Sequence, residues 1–277
     1  MGKKTIYSAI IFYLCLTTTL AFGQVTIAPT NLFVNSGTQF GTYMVINGSN
    51  QNQEISINFQ FAFGQTDENG ERKTVSEDSL LEKKHSIADQ IRAFPQNFVL
   101  NPDQRQVVRL RVNAPDDLPD GTYWARIKTT STPESPPVEI TSTDNVSARV
   151  GINIEQVTGL FYKKGNVTTG IEIKEIRTLL DENGLIVLTD LKRTGNSPFL
   201  GSITASLINS EGEAVQESFT STSIYFDGTH RQELDLNDLP KGEYTIRLKF
   251  ETRRSDISSE NLVQMEPVTQ TVPYTLR

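Results

Sequence analysis

One phrase, Asp-Leu-Pro-x-Gly-x-Tyr, occurs twice in the chain. It stands in "DDLPDGTYWARIK" at 116–128 and in "NDLPKGEYTIRLK" at 237–249, with Tyr244 falling 121 positions after Tyr123. Each copy follows an alternating run, "VVRLRV" or "RQELDL", and opens another. Pro and Gly turn the chain sharply. A Tyr at the start of the next strand can turn its ring inward while its hydroxyl reaches a backbone group of the turn.

That arrangement is the tyrosine corner of immunoglobulin-like sandwiches. The sequence around the two copies suits it. "VTIAPTNLFV", "TYMVIN", "ISINFQFAF", "FVLNPDQRQVVRLRV" and "ARVGINIEQV" alternate apolar with polar residues, as do "IEIKEI", "SITASLIN" and "EYTIRLKF" later. A period of two marks half-buried strands. Turn clusters such as "NSGTQ" and "TPESPP" separate them, Asn183-Gly184 predicts a tight hairpin, and "DENG" at 67–70 predicts the tip of a longer loop. The fold expected is all-β: two tandem immunoglobulin-like β-sandwiches, divided near "FYKKGNVTTG" at 161–170. Tyr123 and Tyr244 are expected to be framework.

"SEDSLLEKKHSIADQI" at 76–91 breaks the pattern. Leu80, Leu81, Ile87, Ala88 and Ile91 recur at rough helical spacing, and Ser79 with Glu82 reads as a capping box. Two readings stand, one or two helical turns or a surface loop.

The first residues read as an export signal. Lys3 and Lys4 precede the apolar run "IYSAIIFYLCLTTTLAF", and Ala21 and Gly23 supply small residues before Gln24. This describes a signal peptide over 1–23, cut before Gln24; an uncleaved anchor is the other reading. Cleavage removes Cys15, the sole cysteine, and shifts net charge from −7 to −9, because Lys+Arg falls from 26 to 24 against 33 Asp+Glu. An acidic, exported product argues against nucleic acid or anionic lipid as partner, and no later stretch approaches membrane-spanning length. The product is expected to be exported and soluble.

Catalytic and metal patterns are missing from the sequence. His85 and His230 have no His, Asp or Glu at ligand spacing, and both are expected to be solvated surface residues. No G-x-S-x-G elbow or Ser-x-x-Lys is present. The reading is therefore of a non-enzyme without cofactor or metal that works through its surfaces. In an all-β protein the reactive surface is an unpaired sheet edge.

"FPQNFVLNPDQRQVVRLRV" at 94–112 resembles the PapD-like chaperones of pilus assembly, through Pro95, Phe98, Leu100, Pro102, Gln106, Val108, Arg109 and Leu110. "ARVGINIEQVTGLFYKKG" resembles that family's long last strand of domain one, with Leu160, Phe161, Tyr162 and Lys163 in the places before the hinge. The likeness covers roughly residues 25–165. It implies a first domain over 24–162 and a second over 163–277. It implies a chaperone that lends alternate apolar residues, here Val150, Ile152 and Ile154, to an incomplete subunit of a pilus or surface fibre. For those three, burial in the domain's own core is the competing role. An outer-membrane usher would be a further partner.

The sequence departs from the family at two places. The family anchors the subunit's terminal carboxylate with an Arg on the first strand and a Lys before Leu-Phe-Tyr; Asn31 and Gly159 stand there instead. Lys163 and Lys164 lie a few residues on, either as substitutes or as solvated hinge lysines. The alternative to a chaperone is a structural or adhesion module of the cell envelope.

Overall fold

The computed structural model describes residues 24–134, 152–181 and 184–277. The chain runs β1 (Val25–Ala28), β2 (Asn31–Asn35), β3 (Phe40–Asn47) and β4 (Gln53–Gln60). An excursion follows, made of the hairpin β5 (Phe63–Thr66) and β6 (Arg72–Val75) and the helix α1 (Ser79–His85). Then come β7 (Ile91–Phe94), β8 (Asn97–Leu100), β9 (Arg105–Val112), β10 (Gly121–Pro133) and β11 (Ile154–Lys164). The later part holds β12 (Thr169–Asp181), β13 (Gly184–Gly195), β14 (Phe199–Ile208), β15 (Ala214–Ile224), β16 (Gly228–Leu234), β17 (Gly242–Glu251) and β18 (Val268–Leu276).

These strands make two tandem β-sandwiches. The first pairs a β1-β3-β9-β7 sheet with a β2-β11-β10-β4-β8 sheet. The second pairs β12-β13-β16 with β15-β14-β17-β18. β9 shows why alternation suffices: Val108, Leu110 and Val112 are buried while Arg105, Arg109 and Arg111 face out. Burying each such apolar side chain contributes roughly 1.5–3 kcal/mol.

Both corners form as the repeated phrase predicts. Tyr123 Oη donates to the Pro119 carbonyl at 2.9 Å, and Tyr244 Oη to the Pro240 carbonyl at 2.7 Å. Each ring is buried, in the first core and the second respectively. The copies differ in one respect. Asp120, in the first, accepts from the Asn166 backbone N–H at 2.9 Å, and its carbonyl accepts from Asn196 Nδ2 at 3.1 Å. The first corner thus also joins the two sandwiches. Gly165, at φ 61° in the connection, has no room for a side chain: a Cβ there would lie 1.8 Å from Asp120 Oδ1.

The excursion differs from the sequence reading in detail. "DENG" tips a hairpin, with Asp67 Oδ1 accepting from the N–H groups of Asn69 and Glu71, both at 3.0 Å. The N-cap of α1 is Asp78 and not Ser79. Its Oδ1 accepts from Leu80 N at 3.1 Å and Leu81 N at 2.9 Å. β12 and β13 pair to their ends, with Asp181 opposite Gly184; Asn183 lies outside the described residues. The 1–23 segment also lies outside them. No helix of the described residues is long and apolar enough to cross a membrane.

Candidate partner-binding edge

β11 is paired on one side along its whole length by β10, from Gly121↔Lys164 to Ser131↔Ile154. On its other side β2 runs parallel and covers only part of it, from Gly159↔Asn31 to Lys163↔Asn35. From Ile154 to Thr158, β10 is the only strand paired with β11 among the described residues. The Gly159 N–H bonds to the Thr30 carbonyl at 2.9 Å, so by alternation the outward backbone groups of the bare stretch belong to Glu155 and Val157. An edge of this kind is a template for a further strand.

Strand parity places Ile154 on the face that buries Leu160 and Tyr162, but beyond the end of the core. Ile154 is half-buried, and Ile152 just before the strand is 68% exposed. Neither belongs to the core cluster. Val157, on the other face, is 54% exposed. Val150 lies outside the described residues.

Asn31 and Gly159 sit opposite one another where β2 joins β11. A Cβ on Gly159 would lie 2.9 Å from Asn31 Oδ1 and 3.3 Å from Arg126 Nη1. The glycine thus leaves room for a guanidinium from β10, where Arg126 is its register partner. Arg126 donates from Nε to the Ala62 carbonyl at 3.1 Å and from Nη2 to Tyr225 Oη at 2.9 Å. Arg254, after β17, pairs with Asp256, whose Oδ2 accepts from Asn31 Nδ2 at 3.4 Å. That pairing holds the Asp256 carboxyl below its usual range. One positive charge, Arg126, therefore stands beside the Asn31–Gly159 pair, and the ion-paired Arg254 and Asp256 lie beyond Asn31; the sequence reading missed all three. No motif marks them, because they arrive from segments remote in sequence.

Lys163 and Lys164 are occupied elsewhere. Lys163 Nζ donates to the Asn261 carbonyl at 2.5 Å and lies 5.3 Å from the centre of the Phe33 ring; burial lowers its pKa. Lys164 Nζ donates to the Pro115 carbonyl at 3.2 Å and to that of Asp116. Lys163 lies four residues beyond Gly159 on β11, roughly 13 Å along the strand. Both lysines tie β11 to its surroundings.

A second cluster fills the junction between the sandwiches: Phe61, Phe63, Trp124, Phe161, Leu200, Tyr225, Ile257 and Leu262. Here the expectation of solvated histidines fails. His85 stacks on Trp124 with ring centres 5.0 Å apart and meets Phe226 edge-on at 5.4 Å. His230 is half-buried and lines one pocket with Arg72 of the β5–β6 hairpin, and among the described residues its buried Nε2 has no hydrogen-bond partner. Burial pushes both imidazoles down to about 4. Among the described residues, no group of three His, Cys, Asp or Glu side chains could hold a metal ion.

Fold and site together define a two-sandwich protein in which the Ile154–Thr158 stretch of β11 is paired on one side only and Phe161, farther along the same strand, enters an aromatic junction. No family model and no curated protein matches the sequence. Among solved structures, the chain is similar to the YadV chaperone at 8% identity and TM-score 0.47, over 90% of this chain and 100% of that one. It is similar to a chaperone–tip adhesin complex of CFA/I fimbriae biogenesis at 14% identity and TM-score 0.45, over 90% and 98%. It is also similar to the Salmonella enterica SafB chaperone in complex with the SafA pilin, at 13% and 0.44, over 92% and 99%.

Proposed function

We propose that this chain is a periplasmic chaperone that binds subunits of a pilus or other surface fibre by edge-strand pairing. The bare edge of β11 from Ile154 to Thr158 carries the reading. A subunit strand laid along it would gain main-chain bonds from Glu155 and Val157, while Ile152 and Ile154, with Val150, enter the subunit's open core. The apolar area that Ile152 presents to water would then be buried. Two of the solved structures to which the chain is similar hold a chaperone with a tip adhesin or with a pilin.

The proposal includes export by the 1–23 signal, cleavage before Gln24, and a division into domains over 24–162 and 163–277. An outer-membrane usher would receive the loaded complex. Carboxylate capture, if it accompanies pairing, falls to Asn31 with Arg126, whose Nη1 faces Gly159, since Lys163, Lys164 and Arg254 are held by other groups.

Co-expression with the secreted subunit encoded nearest in the genome tests this. Wild type should keep the subunit soluble and co-purify with it, and Ile152→Arg or Ile154→Arg should lose at least nine-tenths of it, about a tenfold weakening. Equal recovery with both variants sinks the donor-strand reading and leaves a structural or adhesion module.

A further inference from the structure

The outer face of the β1-β3-β9-β7 sheet lies across the first core from β11. Its outward positions hold Arg105, Arg109 and Arg111 on β9 and Arg92 on β7. None of the outward positions on these four strands is Asp or Glu, in a chain whose net charge is −7. Among the described residues, no ion pair engages any of the four arginines.

Large apolar groups are interleaved with these charges. Phe40 is 50% exposed, Val107 55% and Phe94 58%. Register sets Phe40 beside Arg111, whose guanidinium lies 5.7 Å from the ring centre, and Phe94 beside Arg109. A shallow depression of about 300 Å3 opens between Phe40, Thr42 and Arg109. It is large enough to take an aromatic or branched side chain.

We propose that this face is a second docking surface, for an acidic patch of a protein partner. The partner would set carboxylates against Arg109 and Arg111 and seat an apolar side chain in the depression. Three observations favour a protein over a lipid surface or nucleic acid. The cations are all Arg, which pairs with carboxylates bidentately and desolvates more readily than Lys. Arg and aromatic residues without Lys, Asp or Glu make the composition of a protein-interface centre. A long polyanion would also meet the net negative charge of the rest of the chain, whereas a confined acidic patch would not.

The surface does not depend on the β11 edge, so the two can fail separately. The test uses the full chain and a short fluorescein-labelled peptide alternating Glu with Phe and Leu, read by anisotropy. A matching Gln-for-Glu peptide and vesicles containing phosphatidylglycerol serve as comparators. The Glu peptide should bind wild type, weaken about tenfold or more with Arg109→Glu or Arg111→Glu, and weaken similarly when Gln replaces Glu. Arg109→Gln, with a far-ultraviolet spectrum and melting point like wild type, guards against a folding artefact and should weaken binding less. Ile152→Arg should bind as wild type does. Equal binding by the Arg109 and Arg111 variants, tighter binding to the vesicles than to the peptide, or loss with Ile152→Arg overturns the proposal.

Discussion

Arg126 of the first sandwich donates from Nη2 to Tyr225 Oη of the second at 2.9 Å, across the aromatic junction. The same guanidinium holds the Ala62 carbonyl where the chain leaves β4. One side chain thus joins β10 to both the excursion and the second sandwich. Hydrogen bonds to a charged group contribute about 1.5–3 kcal/mol each. Arg126→Ala should therefore loosen the junction without dissolving either core. Calorimetry is expected to resolve two separate unfolding steps, and small-angle scattering a larger radius of gyration. A single transition at the wild-type midpoint would count against a load-sharing junction.

The two corners predict matched losses. Tyr123→Phe and Tyr244→Phe each delete one hydroxyl and leave a Pro carbonyl without that donor. Each should cost about 1 kcal/mol in urea unfolding, and the double variant about the sum, because the corners lie in different cores. Strong coupling between the two would show that they do not belong to independent sandwiches.

Acid should weaken the fold in a defined window. His85 and His230 have folded pKa values of about 4 against an ordinary 6.5, so the unfolded chain binds more protons than the folded one between those values. Stability is then complete above about pH 6.5 and falls as pH drops towards 4, by up to about 1.4 kcal/mol per pH unit for each proton taken up, and by less for half-exposed His85. Lys84 and Arg193 act on His85 in the same direction as burial, as Arg72 does on His230. Asp190 and Asp256, whose pKa values are lowered, withdraw their stabilisation only below the ordinary carboxylate range. His230→Phe should flatten part of the profile between pH 4 and 6.5; an unchanged slope would mean that His230 is not held neutral in the folded chain.

The features legible in the sequence are those written in consecutive residues. The corners follow from Leu-Pro-x-Gly-x-Tyr, and the inward and outward faces of β9 from strict alternation. The strand character of β11 was legible for the same reason, whereas its bare edge was not, because the extent of its cover by β2 depends on a register that no local pattern states. The histidines were misread because their surroundings come from elsewhere: Trp124 from β10, Phe226 from the turn after β15, Arg72 from the hairpin. Arg126 was invisible as a neighbour of Gly159 because strand pairing places them together. The cap of α1 was missed by one residue, since Asp78 and Ser79 are both good capping types.

Hydrogen exchange at single amides, with and without the fibre subunit, tests the edge-pairing account most directly. Protection of the Glu155 and Val157 amides should rise at least tenfold in the complex, while Leu160 and Tyr162, already buried in the first core, change little. A subunit that binds while Glu155 and Val157 exchange as freely as before would contradict it.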